Sequence, residues 1–133
     1  GAAYAAAQPR GQKWSGSAMT IKQVMETLDA ELLTPEADLT REVHAACGSD
    51  MMSDVLAYVK DQAVLVTGLN NPQVVRTADM MDMICIVFVR GKKPDGAILQ
   101  LAVDRGIAVL ATKLPMFAAC GLLYEKGLRG GMA

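Results

Sequence analysis

Histidine and tryptophan each occur once in this 133-residue sequence, aromatic side chains make up 5% of it, and cysteine occurs three times. Each scarcity excludes something. The lone His44 sits between Val43 and Ala45, where it cannot assemble a metal site, and no Ser/His/Asp or Cys/His spacing accompanies it. It reads as a surface or structural histidine. Cys47, Cys85 and Cys120 are odd in number and widely spaced, so they form neither a disulfide framework nor the close pairs of a zinc site. Reduced thiols of a cytoplasmic protein are the simplest reading. So few aromatics supply no base-stacking platform. With 13 Lys+Arg against 14 Asp+Glu, there is no basic field for nucleic acid. No run of about 18 apolar residues occurs, so no helix is expected to span a membrane. No G-x-x-x-x-G-K-[ST] string occurs either, so there is no P-loop. Neither a cofactor nor a catalytic constellation can be named.

What is present is a high apolar share, 52%, enough to give one domain of this length a real core. Residues 1–18 stand apart. They are rich in Ala, Gly and Ser and lack the apolar stretch of a secretory signal. They read as a tag, a leader or a disordered extension ahead of Met19. Without Arg10 and Lys13, 11 cations face 14 anions, a charge of −3. Residues 127–133, Gly-Leu-Arg-Gly-Gly-Met-Ala, read as a flexible tail. The expected domain is therefore 19–126.

Along that domain a rhythm emerges. Thr20-Ile-Lys-Gln23 has the form of a capping box, opening an amphipathic helix over about 20–29. A short strand or turn follows at Glu31–Thr34. Glu42–Cys47 reads as a strand, and Ser49-Asp50 as the cap of a helix running from Met51 to Val59. Ala63–Thr67 is a buried strand. Asn71-Pro72 starts a helix. Met83–Val89 is a strand that is apolar on both faces. Pro94 opens a helix that Gly106 stops. Ile107–Ala111 is a fourth buried strand. Leu114-Pro115 opens a last helix with Met116, Phe117, Cys120, Leu123 and Tyr124 on its apolar face. Continuous apolar runs alternating with amphipathic helices predict an α/β fold, a mainly parallel sheet with helices on both faces.

Open α/β sheets place ligands beyond the carboxyl ends of their strands. Those ends deliver Ser49 and Asp50 after the first strand, then Thr67, Gly68 and Asn70 after the second. Arg90, Gly91 and Lys92 follow the third, and Thr112 the fourth. Hydroxyls, glycines and cations on one edge suit an anion, with helix N-termini after Ser49, Asn71 and Pro94 adding to the field. The same residue types also serve as ordinary turn and cap chemistry. Arg90, Lys92 and Lys93 form a close cationic cluster, which reads first as a solvated hairpin-like turn and otherwise as a site for a phosphate or a partner's carboxylates. Cys47, beside a glycine and a helix start, is a minor candidate for a reactive thiol. Asp79 and Asp82 read as a solvated helix face. Met51, Met52, Met80, Met81 and Met83 suggest adaptable packing or a contact surface for a second copy.

The order of these segments resembles the DRTGG domain family. The resemblance rests on Thr20-Ile-Lys-Gln-Val24, Cys47-Gly-Ser-Asp50 with Met52-Ser-Asp54, Leu65-Val-Thr-Gly68 and Gln73-Val-Val-Arg-Thr-Ala78. It continues through Ile86-Val-Phe-Val-Arg-Gly91, Ala102–Leu110, and Thr112 with Phe117. Asp50 or Asp54, Arg76, Thr67 and Gly68 are the candidate carriers of the lettered positions. The resemblance implies a fold like the N-terminal domain of HPr kinase/phosphorylase. It also implies an accessory role, since such domains stand beside the catalytic part of long phosphotransacetylases and between CBS modules of regulated pyrophosphatases, where they help form dimers. Free-standing versions resemble proteins of anaerobic bacteria encoded near hydrogenase or redox-signalling proteins. The expectation is a stand-alone, non-catalytic regulatory domain, a homodimer relaying a signal to a partner enzyme in a redox or phosphotransfer context. The alternative is a sensor of a nucleotide or another small phosphate-bearing ligand at the strand-end edge.

Overall fold

The computed structural model describes residues 18–57 and 61–130. Its elements in chain order are β1 (Met19–Thr20), α1 (Ile21–Thr27), β2 (Glu31–Leu32), β3 (Glu42–Val43), β4 (Ala45–Gly48) and α2 (Met52–Val55). They continue with β5 (Ala63–Thr67), α3 (Pro72–Met80), β6 (Cys85–Phe88), α4 (Gly96–Asp104), β7 (Ala108–Ala111) and α5 (Met116–Glu125). Five strands form one sheet in the order β2-β7-β6-β5-β4. β4 to β7 run parallel and β2 lies antiparallel on β7. β1 and β3 make a separate antiparallel pair.

Alternation along the strands divides the core in two. Val64, Val66, Cys85, Val87, Ala108 and Leu110 pack with Ile21, Val24 and Leu28 of α1 and with Ala119 and Leu123 of α5. Leu65, Ile86, Phe88 and Val109 point the other way, toward Val55 of α2, Val74, Val75 and Ala78 of α3, and Ile98 and Ala102 of α4. The three crossover helices thus share one face, and α1 and α5 cover the other. Both faces being covered explains why β5, β6 and β7 are buried throughout.

Local chemistry sets the helix starts. The Thr20 hydroxyl accepts the Gln23 amide at 3.1 Å, and Gln23 Oε1 accepts the Thr20 amide at 2.9 Å, a complete capping box. Asn71 caps α3 through the Gln73 amide, with Pro72 in its first turn. α4 starts differently from expectation. Asp95 caps it by accepting the Ile98 amide at 3.0 Å, and Pro94 lies outside the helix.

Four other features depart from the sequence reading. The strand expected over 42–47 breaks at His44, because Glu42–Val43 pairs with β1 while Ala45–Gly48 joins the main sheet. His44 Nδ1 lies 3.5 Å from Asp61 Oδ1 at this break. The helix after Ser49-Asp50 has four residues, and no side chain caps it. Val59, its expected end, lies outside the described residues. Phe117, placed on the apolar face of the last helix, is 91% exposed, and Ala119 and Leu123 form the buried face instead. Finally, the described part of the expected tail is docked. Leu128 is buried, and the Arg129 carbonyl accepts the Ala46 amide at 2.9 Å. That bond covers the open edge of β4, a position that favours edge-to-edge pairing when bare. The Arg129 guanidinium stacks on the Tyr124 ring at 3.8 Å.

Candidate functional site

The carboxyl ends of β4, β5 and β6 meet in one corner. Parallel register brings Gly48 opposite Val66 and Thr67 opposite Phe88, so the residues that follow each strand become neighbours. Asp50 turns back toward β5. Its Oδ1 accepts the Gly68 amide at 2.6 Å and the Thr67 hydroxyl at 3.1 Å. Thr67, fully buried, uses the same hydroxyl oxygen to accept the Leu69 amide at 3.1 Å. The corner is therefore locked by the protein's own groups.

Above it lies Arg90. A Cβ added to Gly68 would come within 2.5 Å of Arg90 Nη2 and 3.3 Å of its Cζ. Glycine at 68 leaves the space that the guanidinium fills. Arg90 has φ 60° and Gly91 φ 71°, two successive left-handed residues that bend the chain off β6. Their amides continue the sheet, donating to Leu114 O and Thr112 O at 2.8 Å each. The Arg90 side chain is exposed, and its guanidinium has no hydrogen-bond or ion-pair partner among the described residues.

The other strand-end residues are placed as follows. Asn70 reaches across to β6, its Nδ2 donating to Lys93 O at 3.2 Å. Lys92 is exposed. The Lys93 ammonium pairs with Glu31 at 2.9 Å. Ser49 turns onto Met51, its hydroxyl accepting that amide at 3.0 Å. Thr112 is buried and faces inward, donating to Leu28 O at 2.8 Å and accepting the Leu114 amide at 3.3 Å. Both hydroxyls are committed to the fold. The helix N-termini after Asn71 and Asp95 are already capped by those side chains.

Next to the corner a cavity of about 360 Å³ opens at the rim where the start of β2 meets the end of β7 and the turn after β6. Gly91, Lys93 and Lys113 line it together with Asp29 and Glu31. The acidic side of this cavity comes from the β2 segment, which the sequence did not place at the edge. Arg76 and Asp54, two candidate carriers of the family's lettered positions, lie on α3 and α2 and make no bond to the corner. Asp50, Thr67 and Gly68 do meet, and the arginine that joins them is Arg90.

The thiols lie apart from this site. Burial pushes Cys85 up to about 12 and raises Cys120 as well. Cys47 is buried, which removes it as an accessible reactive thiol. Among the described residues, no three His, Cys, Asp or Glu side chains are grouped to hold a metal ion. No helix among them is long and apolar enough to cross a membrane.

A four-strand parallel unit with an antiparallel edge strand and helices on both faces defines an α/β domain. The chain belongs to the DRTGG domain family, whose model matches residues 23–125, a family of regulatory domains. Among solved structures it is similar to the CBS and DRTGG domains of the regulatory region of a Clostridium perfringens pyrophosphatase, complexed with its activator diadenosine tetraphosphate. The TM-score is 0.67 at 14% identity, over 94% of this chain and 56% of that one. At this identity the likeness is one of fold, and the chain spans little more than half of its neighbour's length. No curated protein matches the chain.

Proposed function

We propose that this chain is a non-catalytic regulatory domain that senses a phosphate-bearing ligand at its strand-end edge and relays occupancy to a partner enzyme. The observation that carries the reading is Arg90, a guanidinium laid over Gly68 with no hydrogen-bond or ion-pair partner among the described residues. Asp50 is held by two hydrogen bonds to the fold, so it supports the corner rather than moving a proton. What the edge offers a ligand is cationic: Arg90 and Lys92, with Gly91 leaving room and Asn70 as a polar neighbour. Guanidinium groups suit phosphate because their fork of donors matches its oxygens. Ser49 and Thr112 shape this edge from within. The neighbouring pyrophosphatase region binds a dinucleotide polyphosphate, which makes that ligand class the first to try.

The reading also takes the domain as a homodimer in the cytoplasm, with a folding unit that begins near residue 19 and extends past 126 to include Leu128 and Arg129. Phe117, 91% exposed on α5, and Met51, 61% exposed before α2, are apolar side chains that a second copy could cover. Thermal-shift and calorimetric titration with ATP, diadenosine tetraphosphate and pyrophosphate test the ligand. Stabilisation that is lost in Arg90→Gln supports the proposal, and a flat response to all three sinks it. Light scattering tests the dimer: a monomer at high concentration, with Phe117→Asp unchanged, removes that part.

A further inference from the structure

The opposite rim of the sheet holds a second site of different chemistry. Where β6 and β7 begin, a cavity of about 590 Å³ opens between the 34–41 loop, the start of α1 and the end of α4. Its floor is aliphatic. Ile21, Ile84 and Ile107 are 1%, 6% and 3% exposed, while Val103 stands 52% exposed among the same lining residues. A cavity of this size lies within the range of small-molecule sites, roughly 300–1,000 Å³, which pair an apolar body with a few placed polar groups.

Two opposite charges line it, Asp38 and Arg41. Asp38 Oδ1 accepts both the Thr40 amide at 2.9 Å and the Thr40 hydroxyl at 2.6 Å, and its Oδ2 has no partner among the described residues. Those two bonds, with a smaller contribution from the Arg41 charge, hold the Asp38 carboxyl below the usual carboxylate range. It is therefore ionised at neutral pH. Arg41 Nη1 donates to Gly106 O at 3.1 Å. That bond fixes the guanidinium against the turn into β7 and leaves its other N–H groups without a protein acceptor among the described residues. The two charges make no ion pair with each other. Glu36 adds a second exposed carboxylate on the acidic side.

We propose that this cavity binds a free aliphatic amino acid of the leucine, isoleucine and valine class. Its carboxylate meets the Arg41 guanidinium, its ammonium meets Asp38 Oδ2, and its side chain lies over Ile84, Ile107 and Val103. A zwitterion answers both unpaired charges at once. An aliphatic acid would set its carboxylate near Asp38 and Glu36 with nothing to offer them. An aliphatic amine would leave Arg41 unanswered. A branched aliphatic side chain matches the floor, where the buried Thr34 hydroxyl already accepts the Val109 amide at 3.1 Å. The site lies at the amino ends of the strands and is independent of the phosphate reading at their carboxyl ends.

Titration of the full chain with L-leucine, followed by amide chemical shifts and by calorimetry, tests this. The single-charge probes are 4-methylpentanoate and 3-methylbutylamine. Leucine is expected to saturate, with shifts confined to residues 21, 34–41, 84 and 103–108, and each probe is expected to bind at least about tenfold more weakly. Asp38→Asn and Arg41→Gln should each weaken leucine by at least about tenfold. Val103→Glu, at an exposed position that leaves the core intact, should abolish binding. If Arg41→Gln loses the fold along with its bond to Gly106, Asp38→Asn and Val103→Glu still decide. No saturation by leucine at millimolar concentration, equal binding of either probe, or full binding by Asp38→Asn and Val103→Glu would overturn the proposal.

Discussion

The Asp50 carboxylate accepts the Gly68 amide at 2.6 Å and so ties the end of β4 to the end of β5. A second bond from the Thr67 hydroxyl to the same oxygen makes Asp50 the keystone of the strand-end corner. Hydrogen bonds to a charged acceptor contribute about 1.5–3 kcal/mol, and neutral ones about 1 kcal/mol. Asp50→Ala should therefore lower unfolding stability by about 2 kcal/mol, and Asp50→Asn by about 1 kcal/mol, since its carbonyl oxygen still accepts. Urea midpoints of the two variants check the order. Equal losses would mean that the charge does not matter.

Arg90 occupies left-handed backbone at φ 60°, where a residue with a Cβ is strained by about 1–2 kcal/mol and glycine is not. Glycine gives part of that back as unfolded-chain entropy, about 0.5–1 kcal/mol. Arg90→Gly should thus raise stability by up to about 1 kcal/mol while removing the ligand response. Gain of stability with loss of binding is the signature of a strained residue kept for function.

Two glycine-to-alanine changes separate a flexible neighbour from a packed one. At Gly68 the new Cβ meets the end of the Arg90 side chain at 2.5 Å, which can swing away, so stability should change by less than about 1 kcal/mol. Ligand binding should fall as it does in Arg90→Gln. At Gly48 the new Cβ meets Cys120 Sγ at 2.5 Å, a short, half-buried side chain on α5. Gly48→Ala should lose about 1–3 kcal/mol to overpacking, and Cys120→Ala in the same chain should restore most of it. A double-mutant cycle by chemical denaturation measures that coupling.

Cys85 supplies a pH prediction. Its folded thiol is pushed from 9.0 up to about 12 by burial alone. Below pH 9 both folded and unfolded states hold the proton and the thiol has no effect on the pH profile. Between pH 9 and about 12 the unfolded state loses its proton first, so stability falls as pH rises. Cys85→Ala loses packing at neutral pH but lacks this slope. The stability gap between the two proteins should therefore narrow above pH 9, and a constant gap would contradict the burial.

Much of this fold could be read in the sequence because its signals are short-range. Thr20 to Gln23 carries the capping box, Asn71-Pro72 the start of α3, and the apolar runs at 63–67, 83–89 and 107–111 the central strands, the last two of which the structure trims to 85–88 and 108–111. What escaped depends on distant partners. Ser49 and Asp50 look like helix caps, yet Asp50 bonds across to Gly68, a contact set by parallel register that no local pattern records. Arg76 and Arg90 are equivalent as letters, and only the turn after β6 brings Arg90 over Gly68. Phe117 fits the apolar pattern of α5 but falls outside the narrow stripe set by Ala119 and Leu123. The tail reads as glycine-rich chain because nothing near it announces that Leu128 finds a hole in the core. That the strand ends gather these residues on one edge was legible; that the Ser49 hydroxyl is taken by the Met51 backbone and the Thr112 hydroxyl by Leu28 O was not.

The most direct test of the account is calorimetric titration of the wild type and Arg90→Gln with diadenosine tetraphosphate, repeated with ATP and pyrophosphate. The account predicts saturable binding of at least one of these by the wild type, weakened by at least about tenfold in Arg90→Gln. Arg90→Gln should keep its fold, because among the described residues its guanidinium makes no hydrogen bond or ion pair. No binding by the wild type, or equal binding by the variant, would contradict it.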